Sequence, residues 1–389
     1  MTWIALALLV FAVAGSLSAT PDRLPAVLLG FYWLASLMGQ LFALPLCLLA
    51  LVCAMFAQGW GIGVALLAAT GFGCIHWRNR RAARLLLDVV EETELKLPLH
   101  AGLTPFATGK RKTTRLRGIS YGPGGKRNLL DVVQPRKPRD EPAPILIHFH
   151  GGAWTVGDRD QQAKPLIHHM AARGWVCFDA TYSLGPASRG PDWIVDALRA
   201  IAWVRAHAAE YGGDPPRIAL TGESAGAHLA ALAALAHDDP LLKPGFEAAD
   251  CSVRAAVPLY GRYDLLDRDH TLKRNHAAVI DKYMATKVMP GPVHDCRDLW
   301  HALSPLDRVR PDAPPMLIAH GTADTMLPWQ DARTFADALR QVSQAPVRFC
   351  ALPYIQHGWD SAVSALTWGH VRAVAAFLAP LENAGRERG

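Results

Sequence analysis

The chain predicts an α/β architecture with a mostly parallel central sheet, preceded by a helical membrane region, and three observations carry that reading. Short apolar runs at about 145–149, 175–182, 217–221, 254–259, 315–320 and 347–352 alternate with helical patterns at about 160–173, 192–210, 225–236, 330–342 and 363–379. Strands alternating with helices pair in parallel and are covered on both faces. The first 77 residues are almost free of charge. A glycine-flanked serine, Gly222-Glu223-Ser224-Ala225-Gly226, stands where an apolar strand hands over to an alanine-rich helix.

The N-terminal region comes first in order. Met1 to Ala19, Leu24 to Ala57 and Gly59 to Ile75 contain no charged residue, and a bilayer core needs about 20 apolar residues in helical form. The middle run is too long for one upright span at about 1.5 Å per residue, and Pro45 is placed to break or kink it. Three spans within 1–77 are expected, with two and four as alternatives. A cleavable signal peptide over 1–19, with Ser18-Ala19 as its small-residue site, is the other reading; the missing basic n-region argues for an anchor.

A basic juxtamembrane linker, 78–114, follows. It holds Arg78, Arg80, Arg81 and Arg84, then Lys110, Arg111 and Lys112, with a short amphipathic helix expected at 82–97. Positive residues beside a membrane end favour the cytoplasmic side, which places the catalytic domain there. The formal net charge of +6 is concentrated between Arg78 and Arg139. Membrane lipid headgroups would attract it by roughly 1 kcal/mol per residue; a solvated linker explains it equally well. No stacking aromatics interleave these residues, so no nucleic acid partner is expected. Nothing in the sequence addresses the oligomeric state.

Residues 115–381 read as the catalytic domain, and 382–389 as a polar tail. Arg115 to Tyr121 and Asn128 to Gln134 alternate and are expected to form an antiparallel edge pair, with a Pro-rich loop from Gln134 to Pro144. The stretch from Arg262 to Asp312 interrupts the alternation and reads either as a lid over a pocket at the sheet edge or as an ordinary surface insertion. Cys177 and Cys350 fall in core strands, where a thiol behaves as a small hydrophobe, and no disulfide framework is indicated. With about 310 residues outside the membrane region the chain can bury a sizeable core.

Ser224 is the candidate nucleophile. A G-x-S-x-G sequence at a strand-to-helix turn forces the serine onto a sharp elbow with its Oγ exposed. The N–H of Ala225 then points at a developing oxyanion with the helix dipole behind it. About 75 residues upstream, Ile145 to Phe149 ends in His150-Gly151-Gly152-Ala153-Trp154. Adjacent glycines let this backbone approach a ligand and supply further N–H donors, so Gly151 and Gly152 are read as the other half of an oxyanion hole. Ala153 and Trp154 are candidate substrate contacts. His150 opens this loop and is expected to hold the turn rather than act as a base.

The acid and base should follow the serine. Asp324 lies just past the strand Pro315 to His320, and His357 just past the strand Val347 to Pro353. The carboxyl edge of an open α/β sheet is where catalytic groups gather. Asp264, after the strand Arg254 to Leu259, is the runner-up acid. His320 precedes Asp324, the wrong order; His168, His169, His228 and His370 lie in helical segments. No C-x-x-C pair, H-E-x-x-H or acidic cluster of metal-ligand spacing occurs, so no metal and no cofactor is expected.

The motifs HGGAW, Phe178 to Pro186, GESAG, PLYGRYD, HGTADTMLP and QHGWD stand in an order and spacing that resembles the hormone-sensitive-lipase-like branch of the α/β-hydrolases. More narrowly they resemble its membrane-associated bacterial and mycobacterial carboxylesterases. The resemblance covers roughly residues 115–380. It implies the α/β-hydrolase fold and a serine carboxylesterase or lipase acting on small-molecule or lipid-like esters, with Ser224 as nucleophile, Asp324 as acid, His357 as base, and amides near Gly151, Gly152 and Ala225 as oxyanion hole. It also implies a cell-envelope setting, against the cytoplasmic side that the arginines favour. Two departures stand out. Ala153 replaces a third glycine common in relatives, so a methyl faces the acyl site, and Glu223 replaces a common aspartate. The alternatives are an arylformamidase or other amide hydrolase, an acyltransferase, and a catalytically silent binding protein on the same fold.

Overall fold

The computed structural model describes residues 1–16, 26–137, 141–272 and 274–383. The Ser18-Ala19 site and, from 384 onward, the polar tail lie outside the described residues. The chain packs as two compact units. Unit 1 comprises Met1–Thr108, His320–Pro328 and Cys350–Ala373; unit 2 comprises Gly109–Ala319, Trp329–Phe349 and Val374–Gly389.

Unit 1 begins with four helices, α1 (Thr2–Ser16), α2 (Ala26–Leu41), α3 (Ala43–Phe56) and α4 (Trp60–Val89). Ala5, Leu8 and Ala12 of α1, Ala50 and Cys53 of α3, and Ala65, Ala68 and Phe72 of α4 form one buried cluster. By length and composition α4 is long and apolar enough to cross a membrane, and α2 with α3 would be a second such span, bent by 85°. The bend falls at Phe42, between the helices, and Pro45 lies in the first turn of α3. There its missing N–H costs no intrahelical bond, while its ring excludes a continuous helix through Leu41, four residues earlier.

The linker helix expected at 82–97 is the C-terminal half of α4, which runs on through the arginines and ends at Val89. Its apolar stripe continues with Ala82, Ala83, Leu86 and Leu87, all buried. Arg80 donates to the carbonyls of Leu97 (2.7 Å) and Pro98 (2.6 Å), and Arg84 to that of Leu95 (2.9 Å). These cations tie down the returning chain.

Unit 2 carries the sheet. Its strands are β1 (Thr113–Ser120), β2 (Leu129–Pro135), β3 (Ala143–Phe149), β4 (Val176–Ala180), β5 (Gly213–Glu223), β6 (Ala255–Leu259), β7 (Met316–Gly321) and β8 (Val347–Leu352). The last residues of β7 and β8 belong to unit 1. The order is β1-β2-β4-β3-β5-β6-β7-β8. As expected, β1 and β2 are antiparallel; β2 is also antiparallel to β4, and β4, β3, β5, β6 and β7 are mutually parallel.

Between the strands run α5 (Lys164–Ala172), α6 (Asp192–His207), α7 (Ala225–Leu235), α8 (Arg274–Tyr283), α9 (Arg297–Ala302) and α10 (Trp329–Val342), and α11 (Ala365–Asn383) closes the chain. Ile145, Ile147, Phe149, Phe178, Ile218 and Leu220 of the strands pack with Trp193, Ile201, Leu229 and Leu232 of the helices. Each such side chain contributes about 1.5–3 kcal/mol on burial, which is why the centres of β3, β4 and β5 read as mainly apolar runs rather than alternating ones.

Candidate active site

The elbow at Ser224 forms because β5 ends at Glu223 and α7 starts at Ala225, leaving one residue to make the turn. Ser224 takes φ +54 and ψ −114, a conformation costing a non-glycine residue on the order of 1–3 kcal/mol that surrounding contacts must hold. Its N–H donates to Leu259 O on the neighbouring strand at 3.0 Å, and its carbonyl accepts from His228 N at 3.1 Å. Gly226 is required: a Cβ there would run into the carbonyl oxygen of Phe149. The N–H groups of the first turn of α7, Ala225 included, have no intrahelical acceptor and face the elbow with the helix dipole behind them.

The glycine loop leaves β3 beside this elbow. A Cβ on Gly151 would lie 3.2 Å from Ser224 Cβ and 2.7 Å from Glu223 O, so only glycine lets the two segments meet. Gly152 (φ +125), Ala153 (φ +50) and Trp154 (φ +58) all take positive φ. The methyl at Ala153 therefore occupies a left-handed position that glycine would hold without strain. The Gly151 N–H donates to Gln162 Oε1 at 2.6 Å. His150 Nδ1 bonds the Gly151 carbonyl at 2.7 Å and its ring stacks on Tyr182. Burial pushes His150 down to about 4, so it holds the turn as a neutral imidazole. Trp154 is buried against Trp193 and His228, with ring centroids at 6.1 and 5.1 Å.

Two features around the elbow were not anticipated from the sequence. Tyr283, the last residue of α8, donates from its hydroxyl to Ala153 O (3.1 Å) and pairs with Thr155 Oγ1 (2.5 Å). The Arg262–Asp312 insertion is thereby fastened to the glycine loop; Gly190 N also donates to Val288 O in it, and His228 Nε2 to Leu303 O. The second feature is a charged chain behind Ser224. His148, on β3, bonds Glu223 Oε2 through Nε2 (2.7 Å) and Asp179 Oδ1 through Nδ1 (2.8 Å). Arg115 joins Asp179 (2.7 Å), Asp131 (2.8 Å) and Asp160 (2.9 Å). Burial alone would lower His148, but the Glu223 and Asp179 carboxylates outweigh it and hold the imidazole well above its ordinary value. Burial would likewise raise Asp179, yet His148 and Arg115 bring it down to about 2. The pattern that could have flagged His148 is a histidine inside an otherwise apolar strand, since a buried polar group must find partners.

Asp324 and His357 both belong to unit 1, on the loops after β7 and β8. His357 Nδ1 donates to Asp324 Oδ2 at 2.6 Å. Asp324 Oδ1 accepts from the N–H groups of Met326 and Leu327, both at 2.8 Å. His320 Nε2 also reaches Asp324 Oδ2, at 3.0 Å, a second imidazole that spacing alone did not disclose. Burial would raise the Asp324 carboxyl, but the two histidines hold it far below the usual range, so it is a carboxylate. Gln356 Oε1 accepts from Thr325 N (2.8 Å) and His357 N (2.9 Å), pinning the acid loop to the base loop. The runner-up Asp264 is otherwise engaged: its carboxylate accepts from Arg268 N (2.7 Å) and Leu266 N (3.1 Å) and pairs with the Arg268 guanidinium.

The other histidines have separate roles. His168 bonds Thr113 Oγ1 at 2.8 Å, and His228 is pushed down to about 3 by burial among tryptophans. Among the described residues no group of three or more His, Cys, Asp or Glu side chains is placed to hold a metal ion.

Residues 130–339 match the BD-FAE family profile, more than half of the chain. The chain belongs to the BD-FAE family. This is the hormone-sensitive-lipase-like esterase grouping that the linked motifs resemble. Among curated relatives it is 42% identical over 275 residues to the probable carboxylic ester hydrolase LipM of Mycobacterium tuberculosis, covering 70% of this chain and 63% of that protein. To esterase LipQ of the same organism it is 43% identical over 272 residues, covering 69% of this chain and 63% of that one. The alignment thus spans somewhat less than two thirds of either relative. A BD-FAE chain also has solved neighbours: the butyrate-bound thermophilic esterase Est2 of Thermogutta terrifontis superposes with a TM-score of 0.56 at 26% identity, covering 68% of this chain and 93% of that one. The α/β-hydrolase fold with its mostly parallel sheet is common to these esterases.

Proposed function

We propose that this protein is a serine carboxylesterase or lipase that hydrolyses carboxylic esters through an acyl-enzyme, with Ser224 as nucleophile, His357 as base and Asp324 as acid. The observation that carries the reading is Ser224 held at positive φ on a one-residue elbow beside the glycine loop. The esterase names of the LipM and LipQ relatives and the Est2 neighbour support it. So does the 2.6 Å bond from His357 Nδ1 to Asp324, which fixes the tautomer in which Nε2 accepts a proton.

Oγ attacks the ester carbonyl as His357 takes its proton. Donors from Gly152 and Ala225 stabilise the oxyanion, while the N–H of Gly151, also assigned to the hole, already serves Gln162. Collapse breaks the C–O bond, and the alcohol leaves with the proton from His357. Water then attacks the acyl-enzyme, giving its proton to His357, and Ser224 is regenerated as the acid departs. Ester and water balance the reaction, and each proposed step uses only side chains and amides of this chain.

Ala153 would bound the acyl site with its methyl, with Trp154 supporting that wall from behind. We further propose that residues 1–77 embed the protein in a membrane with three spans, α1, the α2–α3 pair and α4, that 78–114 is a basic juxtamembrane linker, that 115–381 is the catalytic domain, and that it faces the cytoplasm. Lipid-like esters presented at that surface are the proposed substrates.

The test is hydrolysis of p-nitrophenyl esters from acetate to palmitate by full-length protein beside Ser224→Ala. Turnover lost by roughly 10³-fold or more in the variant is the expected result. Equal rates with and without Ser224, or none with either and no fluorophosphonate labelling, would sink the reading.

A further inference from the structure

We propose that Gln40 and Trp33, on the apolar helix α2, are positioning residues for the base: they fix the backbone of the loop that carries His357, so the N-terminal helices are part of the catalytic apparatus and more than an anchor. The inference rests on the reading of His357 as the base of Ser224.

Three backbone groups within four consecutive loop residues are held by this one helix. Gln40 Nε2 donates to Tyr354 O at 2.7 Å, and Gln40 Oε1 accepts from Gln356 N at 2.9 Å. The carboxamide thus satisfies a carbonyl and an N–H two residues apart, as a neighbouring strand would. Trp33 Nε1 donates to the carbonyl of His357 itself at 3.2 Å. Tyr354 takes φ +66, an uncommon conformation for a bulky residue, so the loop has a shape that it needs partners to keep.

Gln40 is 4% exposed. A buried amide without partners costs on the order of 1–3 kcal/mol, so its place in an otherwise apolar helix calls for these bonds. The helix is itself fastened, because Asn79 Nδ2 of α4 donates to Gln40 O at 2.7 Å and Asn79 is 2% exposed. Leu37 and Leu41 pack on Ala362 at the far end of the same loop. The ring end is fixed by Asp324 and the backbone end by α2, with Gln356 between them bonding both the acid loop and the base loop. The family profile spans 130–339, so α2 and His357 both lie outside the stretch that matches.

A displacement of about 1 Å at a proton-transfer group costs up to roughly 10²-fold in rate. It should appear in kcat rather than in KM, because α2 acts through the backbone of the base loop. The experiment compares full-length wild type, Gln40→Leu, Gln40→Glu and Trp33→Phe on a p-nitrophenyl ester, with kcat expressed per site counted by endpoint fluorophosphonate titration. Phe31→Ala, an exposed position on the same helix, is the control.

Expected are a kcat loss of roughly tenfold or more for Gln40→Leu with KM within about twofold, a smaller loss for Trp33→Phe, partial rescue in Gln40→Glu, which keeps the acceptor for Gln356 N, and wild-type values for the control. Wild-type kcat per site in both Gln40→Leu and Trp33→Phe would overturn the inference. So would losses that reside only in the number of titratable sites. If wild type itself shows no Ser224-dependent turnover, it is the esterase reading that has failed, and this inference falls with it.

Discussion

Asp324 is a carboxylate shared by two imidazoles, and the chemistry of the site turns on which of them it serves. Its Oδ2 lies 2.6 Å from His357 Nδ1 and 3.0 Å from His320 Nε2. The shorter bond goes to His357, the proposed base, which follows Ser224 in the expected order; His320 shares the negative charge that burial would otherwise disfavour. Asp324→Asn should therefore lower kcat by roughly 10³–10⁴, as loss of the orienting acid does elsewhere, with folding kept. Asp264→Asn should leave kcat per titrated site within about threefold, because that carboxylate is spent on Arg268 and on capping its own turn. Steady-state kinetics on the two variants side by side checks the assignment, and the reverse ranking would transfer the acid role to Asp264.

At the scale of elements, the contact that matters is between the end of α8 and the glycine loop. Ala153 and Trp154 hold positive φ without being glycine, and such backbone persists only when its surroundings over-determine it. Tyr283 supplies two of the constraints, by donating to Ala153 O and by pairing with Thr155. Tyr283→Phe keeps the ring and removes both bonds, each worth about 1 kcal/mol net. The expected outcome is a drop in kcat of roughly tenfold with KM changed little, measured on short-chain esters so that acyl-chain packing does not intervene. An unchanged kcat would mean that the insertion is a surface addition and not a support for the glycine loop. Sequence reading left those alternatives open because a helical segment between strands looks the same whether or not it touches the site.

At the scale of the whole sheet, one charged chain links the elbow to the antiparallel edge: Glu223, His148, Asp179, Arg115 and Asp131 run from β5 through β3 and β4 to β1 and β2. Removing one member of a buried ion pair costs about 3–5 kcal/mol, so His148→Gln should be strongly destabilising, and the size of the effect should depend on pH. His148 is raised in the folded state, so its stabilising contribution is complete below its unfolded value of about 6.5 and is lost as pH rises through about 10. Asp179 is lowered, so its contribution is complete above an unfolded value of about 3.9 and is lost as pH falls through about 2. The stability gap between wild type and His148→Gln, followed by denaturant unfolding, should be widest between about pH 4 and 6.5 and should narrow on the alkaline side. A gap independent of pH would show that the chain contributes packing and not charge.

The strand and helix succession, the antiparallel edge pair, the elbow at Ser224 and the loops bearing Asp324 and His357 were all legible along the chain. Each is set by local pattern: apolar runs of strand length, a glycine where two backbones must touch, a polar residue just past a strand end. His148 bound between two carboxylates, the second imidazole on Asp324, the tyrosine clasp on Ala153 and the hold of Gln40 on the His357 loop were not. Apart from His320, four positions before Asp324, each joins residues dozens to hundreds of positions apart through a single side chain, and a lone histidine, tyrosine or glutamine has no periodicity by which to announce its partner. Only folding, which penalises a buried polar group left without a hydrogen bond, decides where each of them turns.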